Sequence, residues 1–225
     1  MMERRVLRNE LKYYISRPAA AIIKSRLSKI MHPDSHADGF EPYFIRSVYF
    51  DDMDYTAFRD KLSGVEKRDK FRVRFYNMDS SFMVFEQKKK IADKIQKTSQ
   101  RIDMGQMRMM MKGLCIGESK GLLGYYDVLC RTRLLRPLVI VDYNRTVFSY
   151  PISNVRITLD QDIRAKRFTG DAFNLAGEIP VIDANSVVLE VKFDTVLPPQ
   201  IKCLFEDVAK NRSAVSKYCL CCETL

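Results

Sequence analysis

Charged and apolar residues alternate in several stretches of this sequence that have the composition of β-strands. In residues 71–76, Arg72 and Arg74 alternate with apolar residues, so a strand would present their guanidinium groups on one face. Residues 187–193 would place Glu190 and Lys192 together in the same way. Grouped cations can bind a polyanion, and a carboxylate among them can hold a hard divalent metal ion.

Three further stretches repeat this alternation, and in each of them basic residues share one side with a carboxylate. These sides carry Glu86, Lys88 and Lys90 in residues 82–90, Arg156, Thr158 and Asp160 in residues 154–163, and Arg8, Glu10, Lys12 and Tyr14 in residues 6–15. An antiparallel sheet with one solvated face would account for any single strand. The joint pattern of five strands instead favours a binding site.

Closing such a sheet into a barrel, with the charged faces inward, would create a basic channel. The carboxylates on these faces, Glu10, Glu86 and Glu190, would offer hard oxygen ligands. Such ligands suit Mg²⁺ or Mn²⁺, which also bridge to phosphate oxygens. The pattern therefore predicts a phosphate-binding channel with a metal site.

The elements that would position these residues follow from hydrophobic periodicity and from capping signals. The sequence predicts strands over residues 6–15, 43–50, 70–76, 82–90, 139–150, 154–163 and 187–193, and helices over residues 18–30, 54–62, 105–135 and 198–210. Ser16 and Pro18 are suited to open the first helix, and Gly64 is suited to close the second. This order predicts an α+β fold in which helices are inserted between groups of antiparallel strands.

The composition describes one globular chain with an anionic partner. The 225 residues are 46% hydrophobic and contain no repeat or Gly/Ser/Pro-rich linker, which predicts a single domain over residues 1–225. No aliphatic run approaches the ~20 residues that span a bilayer. No signal peptide is recognisable either, so we expect a cytoplasmic protein without a membrane segment. The formal net charge of +10 favours nucleic acid, acidic lipid or a phosphate-rich ligand.

Other reactive residue types have simpler interpretations. The six cysteines predict reduced thiols, and we interpret Cys219 and Cys222 as part of a packed helix end rather than a redox or zinc site. The methionines clustered between Met104 and Met111 predict core packing. His32 and His36 lie in a polar loop, where we expect solvated side chains.

Seven short motifs, in order along nearly the whole chain, resemble the VTC polyphosphate polymerase domain, a member of the CYTH or triphosphate tunnel metalloenzyme superfamily. The motifs are Glu10-Leu11-Lys12-Tyr13, Arg72-Val73-Arg74 with Tyr76, Phe85-Glu86-Gln87-Lys88, Tyr143-Asn144-Arg145, Arg156-Ile157-Thr158-Leu159-Asp160, Leu189-Glu190-Val191-Lys192 and Ser216-Lys217-Tyr218. The resemblance implies an eight-stranded antiparallel tunnel barrel with helices packed outside. It also implies that the tunnel binds ATP, triphosphate or polyphosphate together with Mn²⁺ or Mg²⁺.

The resemblance also implies individual roles. The expected phosphate ligands are Lys12, Arg72, Arg74, Lys88, Arg145, Arg156 and Lys217, among which Arg72, Arg74, Lys88 and Arg145 are the candidate catalytic residues. Glu190 would hold the metal, with Glu10 and Glu86 as further candidate ligands. The alternation adds Lys90 and Lys192 to the substrate-binding set.

Two departures from the superfamily pattern bear on the reaction, and one of them is Ala214, where polymerases tend to carry a second lysine three residues before the position of Lys217. Hydrolases of the superfamily begin with a Glu-x-Glu-x-Lys strand, and here Arg8 stands at the position of the first glutamate. This favours a polymerase, with a tripolyphosphatase or nucleoside triphosphatase and a non-catalytic polyphosphate-binding module as alternatives. Nucleic-acid binding is disfavoured because the phenylalanines alternate with the basic positions instead of sharing their face. The oligomeric state does not follow from the sequence.

Overall fold

The computed structural model describes residues 8–34, 37–92 and 94–225, and this part of the chain divides into two compact units. The first unit comprises residues 8–44, 143–163 and 182–216, and the second comprises residues 45–142, 164–181 and 217–225. The prediction of a single domain over residues 1–225 stays a prediction.

Eight strands of eight or more residues form the main sheet, in the hydrogen-bonding order β1-β10-β8-β7-β3-β4-β5-β6. They are β1 (Asn9–Ser16), β3 (Tyr43–Asp51), β4 (Lys67–Tyr76), β5 (Met83–Ile91), β6 (Lys94–Ile102), β7 (Arg136–Tyr150), β8 (Val155–Arg167) and β10 (Ser186–Phe193). Two short strands, β2 (His32–Pro33) and β9 (Ile179–Pro180), pair with β7 and β8. The predicted α+β fold class with an eight-stranded antiparallel sheet is confirmed.

In the part of the chain that the structure describes, six α-helices accompany the sheet. They are α1 (Arg17–Leu27), α2 (Thr56–Leu62), α3 (Met104–Met111), α4 (Gly121–Arg133), α5 (Pro199–Lys202) and α6 (Lys217–Thr224). The Ser16 side chain accepts a hydrogen bond from the backbone N–H of Ala19, so the predicted N-terminal cap of α1 is confirmed. In the described residues, every helix is too short or too polar to cross a bilayer.

Each unit has its own hydrophobic core under one face of its strands. In the first unit, Ile23 and Leu27 of α1 pack with apolar residues of the strands and with Phe205. In the second unit, Phe85 of β5 contacts Tyr126 of α4 edge to face, with ring centroids 5.5 Å apart. The opposite faces of the same strands are therefore left for polar residues.

The methionine cluster takes part in this second core. Met107, Met110 and Met111 are buried there among the aromatic residues. The unbranched thioether side chain adapts to the irregular spaces between helix and sheet. The prediction that the methionine cluster serves packing is confirmed for these three residues and for partly buried Met104, whereas Met109 is exposed.

The chain between the sixth strand and β7 differs from the single helix predicted over residues 105–135. Helix α3 ends before Gly113, which has a left-handed φ of 67°, and α4 begins only at Gly121. Buried Asp127 accepts hydrogen bonds from the backbone N–H groups of the intervening loop at Ile116, Gly117 and Glu118. This carboxylate stabilises the interruption, which periodicity alone does not reveal.

Two more elements depart from the sequence prediction. Strand β6 was not predicted, because it is almost entirely polar and lies at the end of the strand order, where charged residues protect a sheet edge. The helix predicted over residues 198–210 is regular only in α5, and turns follow it. The chain then forms a further helix, α6, which contains Cys219 and Cys222.

Candidate functional site

The polar face of the second unit carries a basic surface formed by β4, β5 and β6. Phe71 and Phe75 of β4 point into the core, so the side chains of Lys70, Arg72 and Arg74 lie on the opposite face. The predicted alternation of β4 is confirmed.

Three lysines lie side by side across this surface. Lys88 of β5 is directly opposite Lys70 of β4 on one side and Lys97 of β6 on the other. Side chains in such cross-strand positions are close enough to interact, and like charges there destabilise the sheet. Burial also lowers the pKa of Lys70. A bound polyanion would relieve the repulsion, so this lysine row is a feature that favours an anionic ligand.

Glu86 precedes Lys88 by two residues on the same face of β5 and is surrounded by cations. Its carboxylate is 2.6 Å from Nε of Arg72 and 4.0 Å from Nη1 of Arg74, and it also pairs with Lys97. Burial alone would raise the pKa of Glu86, but these three cations outweigh burial and hold the pKa well below the usual value. Glu86 is therefore a charged acceptor that orients both arginines.

Strand β3 contributes a second set of contacts to the same arginines. Nη1 of Arg72 donates to the Tyr49 hydroxyl at 2.9 Å, and Nε of Arg74 donates to the Ser47 hydroxyl at 3.3 Å. Burial would raise the pKa of Tyr49, but the charges of Arg72 and Arg74 more than offset it and lower that pKa. The two guanidinium groups are thus held by β3 and β5 together.

Helix α6 packs onto this surface through Tyr218. The Tyr218 ring stacks on Tyr49 with centroids 5.1 Å apart, and its hydroxyl donates to buried Asp51. Asp51 also accepts from the backbone N–H groups of Ala57 and Phe58 in α2, at 2.9 and 3.1 Å. Since Lys217 directly precedes Tyr218, these contacts fix the start of the helix that carries this predicted phosphate ligand.

The first unit contains a different arrangement on β1, β10 and β8. The register places Glu190 of β10 between Lys12 of β1 and Thr158 of β8. It places Lys192 of β10 between Glu10 and Arg156 in the next row. Each of these rows therefore contains a carboxylate directly beside a cation, in contrast to the lysine row of the second unit.

Each predicted phosphate ligand of this unit has a carboxylate partner. The ion pairs are Lys12 with Glu10 at 3.2 Å, Lys192 with Glu190, Arg145 with Asp160 at 2.6 Å, and Arg156 with Asp34. Arg145 is buried and binds both oxygens of Asp160. Burial would lower the pKa of Arg145, but Asp160 outweighs it, so the pKa is raised and the guanidinium stays charged. The predicted phosphate ligands of the first unit are therefore neutralised by carboxylates of the same unit.

The carboxylates of the first unit suit a divalent metal ion better than Glu86 does. Nζ of Lys192 contacts Glu190 and also lies 3.9 Å from Glu10, so these two carboxylates already share one cation. The buried hydroxyl of Thr158, opposite Glu190, has no hydrogen-bond partner among the described residues. Two carboxylates and an unsatisfied hydroxyl are hard oxygen donors of the kind that Mg²⁺ and Mn²⁺ accept.

This donor set would be incomplete without the substrate. Within the described ranges, no group of three or more His, Cys, Asp or Glu side chains could by itself hold a metal ion. Mg²⁺ is commonly bound by one or two carboxylates together with substrate phosphates. Glu10 and Glu190 fit that mode, whereas Glu86 already neutralises three cations.

The structure thus separates the predicted site residues into two groups. Lys12, Arg145, Arg156, Lys192, Glu10 and Glu190 belong to the first unit, and Arg72, Arg74, Lys88, Lys90, Lys217 and Glu86 belong to the second. Lys90 shares the face of Lys88 on β5 and lies opposite Arg68, beyond the lysine row.

Sequence reasoning missed Lys70, Lys97, Tyr49 and Asp51. Lys70 has the same parity as Arg72 and Arg74, so extending the alternation by one step would have found it. Lys97 was missed together with β6. Tyr49 and Asp51 acquire their significance only from the contacts of Arg72 and Tyr218, which no local pattern reveals.

Arg8 is held beside the start of β1. Its Nε is 2.8 Å from Oδ1 of Asp194, and its Nη2 donates to the carbonyl oxygen of Asn154 at 2.7 Å. The residue that replaces the expected glutamate is therefore fixed by an ion pair.

The remaining predictions concern cysteine and histidine. All six cysteines are free thiols, and Cys219, Cys221 and Cys222 lie in α6. Burial raises the pKa of Cys222 to about 12, so its thiol is not activated. His32 is exposed in β2, and His36 lies outside the described residues.

Comparison with known protein families identifies the family to which this chain is similar. The family model of the VTC domain matches residues 7–225. A search of curated protein sequences found no significant match.

Solved structures show the same fold at low sequence identity. A candidate adenylyl cyclase from Hippeastrum with a dominant triphosphatase activity is similar, with a TM-score of 0.56, 16% identity and coverage of 97% of this chain and 96% of that chain. A candidate adenylate cyclase from Bacillus halodurans is similar with a TM-score of 0.53 and 15% identity, over 92% of each chain. Another similar structure is PH1819 from Pyrococcus horikoshii, with a TM-score of 0.51, 14% identity and coverage of 97% and 99%. Because the VTC family model matches nearly the whole sequence, the chain belongs to the VTC domain family.

Proposed function

We propose that this VTC domain is a metal-dependent polyphosphate polymerase that transfers the γ-phosphate of ATP to a growing polyphosphate chain. The observation that carries the proposal is the row of Lys70, Lys88 and Lys97 beside the arginines paired with Glu86. Successive cations at strand spacing can neutralise successive phosphates of a linear polyanion. A monophosphate could contact only part of this row.

Phosphoryl transfer requires alignment and charge neutralisation more than covalent chemistry from the protein. In the proposed reaction, a terminal oxygen of the growing chain attacks the γ-phosphorus. The bond from that phosphorus to the bridging oxygen breaks, and ADP leaves with the electron pair. No serine, cysteine or histidine nucleophile is needed.

The residues would divide these tasks. Arg72, Arg74, Lys88 and Arg145 would bind the reacting phosphates, while Lys12, Lys90, Arg156, Lys192 and Lys217 would hold the rest of the phosphate chain. Glu10 and Glu190 would hold Mn²⁺ or Mg²⁺, which supplies charge neutralisation at phosphate oxygens when bound. Lys192 would then shift its ammonium group from these carboxylates to phosphate.

A tripolyphosphatase is the second candidate, because a triphosphatase activity is described for the similar Hippeastrum protein. Arg8 argues against it for this chain. Its ion pair with Asp194 holds a cation where superfamily hydrolases carry a carboxylate, so a group that could recruit metal and water is missing from that position. A phosphate acceptor, unlike water, would not need such a carboxylate.

The test is to incubate the protein with ATP and Mn²⁺ and to follow polyphosphate on gels and free phosphate in parallel. We expect long chains from the wild type and none from Arg72→Ala or Arg74→Ala. Arg108→Ala is the matched control, since Arg108 is exposed on α3, a helix that packs against the opposite, apolar face of the sheet. Free phosphate without chains would support the hydrolase, and binding without turnover would support a polyphosphate receptor.

A further inference from the structure

A pocket in the second unit, formed by α2, α6, the start of β7 and the end of β8, has no part in the proposed reaction. Its volume is about 680 Å³, within the range of small-molecule sites. The floor and walls are apolar and include Phe58, Pro137, Leu138 and Phe168. A ligand that fills this space would therefore need an apolar body.

Three arginines, Arg59, Arg136 and Arg167, also line the pocket. Among the described residues, Arg59 and Arg136 form no ion pair, and no Asp or Glu side chain belongs to the lining. Nε of Arg167 donates to the main-chain oxygen of Leu225 at 3.1 Å, which holds its guanidinium at the pocket.

Tyr55, which also lines the pocket, has an unusual backbone conformation. Its φ of 54° is in the left-handed region, which bulky residues rarely adopt, and it directly precedes α2. Such strain is maintained only where surrounding structure holds it, and it is frequent at ligand sites. Here it directs the first turn of α2, which carries Phe58 and Arg59, to the pocket.

We infer that this pocket binds a small amphiphilic anion, in which one phosphate or carboxylate group is joined to an apolar chain. The arginines would bind the anionic group by charge-assisted hydrogen bonds, and the apolar walls would enclose the chain. Inorganic phosphate would leave the walls unfilled, and a neutral amphiphile would leave the guanidinium groups uncompensated. Because the site is concave and of small-molecule size, the inference is for a monomeric ligand and not for a membrane surface. The half-buried thiol of Cys222, with its raised pKa, is unsuited to react, so we assign the site to binding.

The test uses dodecyl phosphate below its micellar concentration and isothermal titration calorimetry on the full chain. Saturating tripolyphosphate is present, so that the proposed polyphosphate-binding surface is not available to the probe. We expect one equivalent to bind, with affinity reduced about tenfold in Arg136→Glu, because a charge-assisted contact becomes a repulsive one. Arg133→Glu is the matched control, since this exposed residue makes the same charge change outside the pocket.

Several results would overturn the inference. They are unchanged affinity in Arg136→Glu, equal loss in Arg133→Glu, or equally tight binding of the neutral dodecyl maltoside. Sedimentation of the protein with phosphatidic acid vesicles, without binding of monomeric dodecyl phosphate, would indicate a membrane surface instead. Because the titration does not measure ATP turnover, its outcome tests the pocket independently of the polymerase proposal.

Discussion

At the scale of single residues, Glu86 and Glu190 look alike in the sequence but differ in their surroundings. Each is a buried glutamate that alternates with basic residues in a strand. Glu86 contacts Arg72, Arg74 and Lys97. Glu190 contacts Lys192 and Arg145, and it lies opposite a hydroxyl that has no hydrogen-bond partner among the described residues. Glu86 is therefore the centre of a cation cluster, whereas Glu190 has oxygen donors nearby with which it could bind a metal ion.

The first prediction concerns Glu86→Gln. The change removes the charge that neutralises three cations, so we expect the free energy of unfolding at pH 7 to fall by about 2 kcal/mol, discounted because Arg72 and Lys97 are partly exposed. The folded-state pKa of Glu86 is depressed from 4.5, so its contribution is present above that pH and is lost as pH falls through the folded pKa. Urea unfolding from pH 7 to pH 3 should show a flatter pH dependence in the variant. Exposed Glu66→Gln is the control, and equal effects of the two changes would contradict the prediction.

The second prediction concerns Glu190→Gln and depends on the proposed metal site. The amide keeps the size but loses the charge that a hard cation requires, so Mn²⁺-dependent turnover should fall about 100-fold. Polyphosphate binding measured in chelator should persist or strengthen, because a negative charge is removed. Exposed Glu206→Gln is the control. If stability and polyphosphate affinity fell together while the metal dependence stayed unchanged, Glu190 would be only an ion-pair partner of Lys192.

At the scale of elements, α6 is joined to two others through one tyrosine. The Tyr218 ring packs on β3 at Tyr49, and its hydroxyl bonds to Asp51, which also holds the first turn of α2. Lys70 of β4 lies 5.0 Å from the centroid of the same ring, and its Nζ is 3.5 Å from Sγ of Cys219. We therefore expect the position of Lys217 to depend more on the stacking of the Tyr218 ring than on the hydrogen bond of its hydroxyl group.

The third prediction separates these two contributions. Tyr218→Phe keeps the stacking and removes the hydrogen bond to buried Asp51, so the free energy of unfolding should fall by about 1–2 kcal/mol with little change in tripolyphosphate affinity. Tyr218→Ala also removes the stacking, and the misplaced Lys217 and Arg72 should weaken tripolyphosphate binding about tenfold. Denaturant unfolding and calorimetry of folded samples give the two quantities. Full affinity in Tyr218→Ala would exclude a role of α6 in binding.

At the scale of the whole molecule, the charges are distributed unevenly. The formal net charge is +10, yet the predicted phosphate ligands of the first unit are paired with carboxylates. The second unit instead has the lysine row and one glutamate within its arginine cluster. The basic surface of β4, β5 and β6 should therefore dominate the attraction of polyanions.

The fourth prediction follows from this distribution. Tripolyphosphate should bind more tightly than orthophosphate, and its affinity should fall steeply as salt screens the charges. At about 100 times its Kd it should stabilise the fold by about 2.7 kcal/mol. For a chain of this size, that corresponds to a rise in Tm of roughly 5–10 °C. Thermal unfolding with each anion at matched ionic strength measures the difference, and equal weak stabilisation by the two anions would contradict it.

Much of the fold and part of the site could be predicted without coordinates. Alternation is a local property, so residues 71–76 by themselves determined that Arg72 and Arg74 share a face opposite the core. Ser16 and Pro18 likewise determined the start of α1, because a cap needs only neighbouring residues. The ordered motifs identified the family, and with it the fold class.

What only the tertiary structure decided is which charges meet. Cross-strand register placed Lys70, Lys88 and Lys97 in one row and set Lys192 beside Glu10, although the residues brought together lie on different strands. Strand β6 lacked a hydrophobic period because it is an edge strand, so Lys97 could not be foreseen. Tyr218 gained its role from stacking on a residue of β3, and such long-range packing leaves no trace in local sequence patterns.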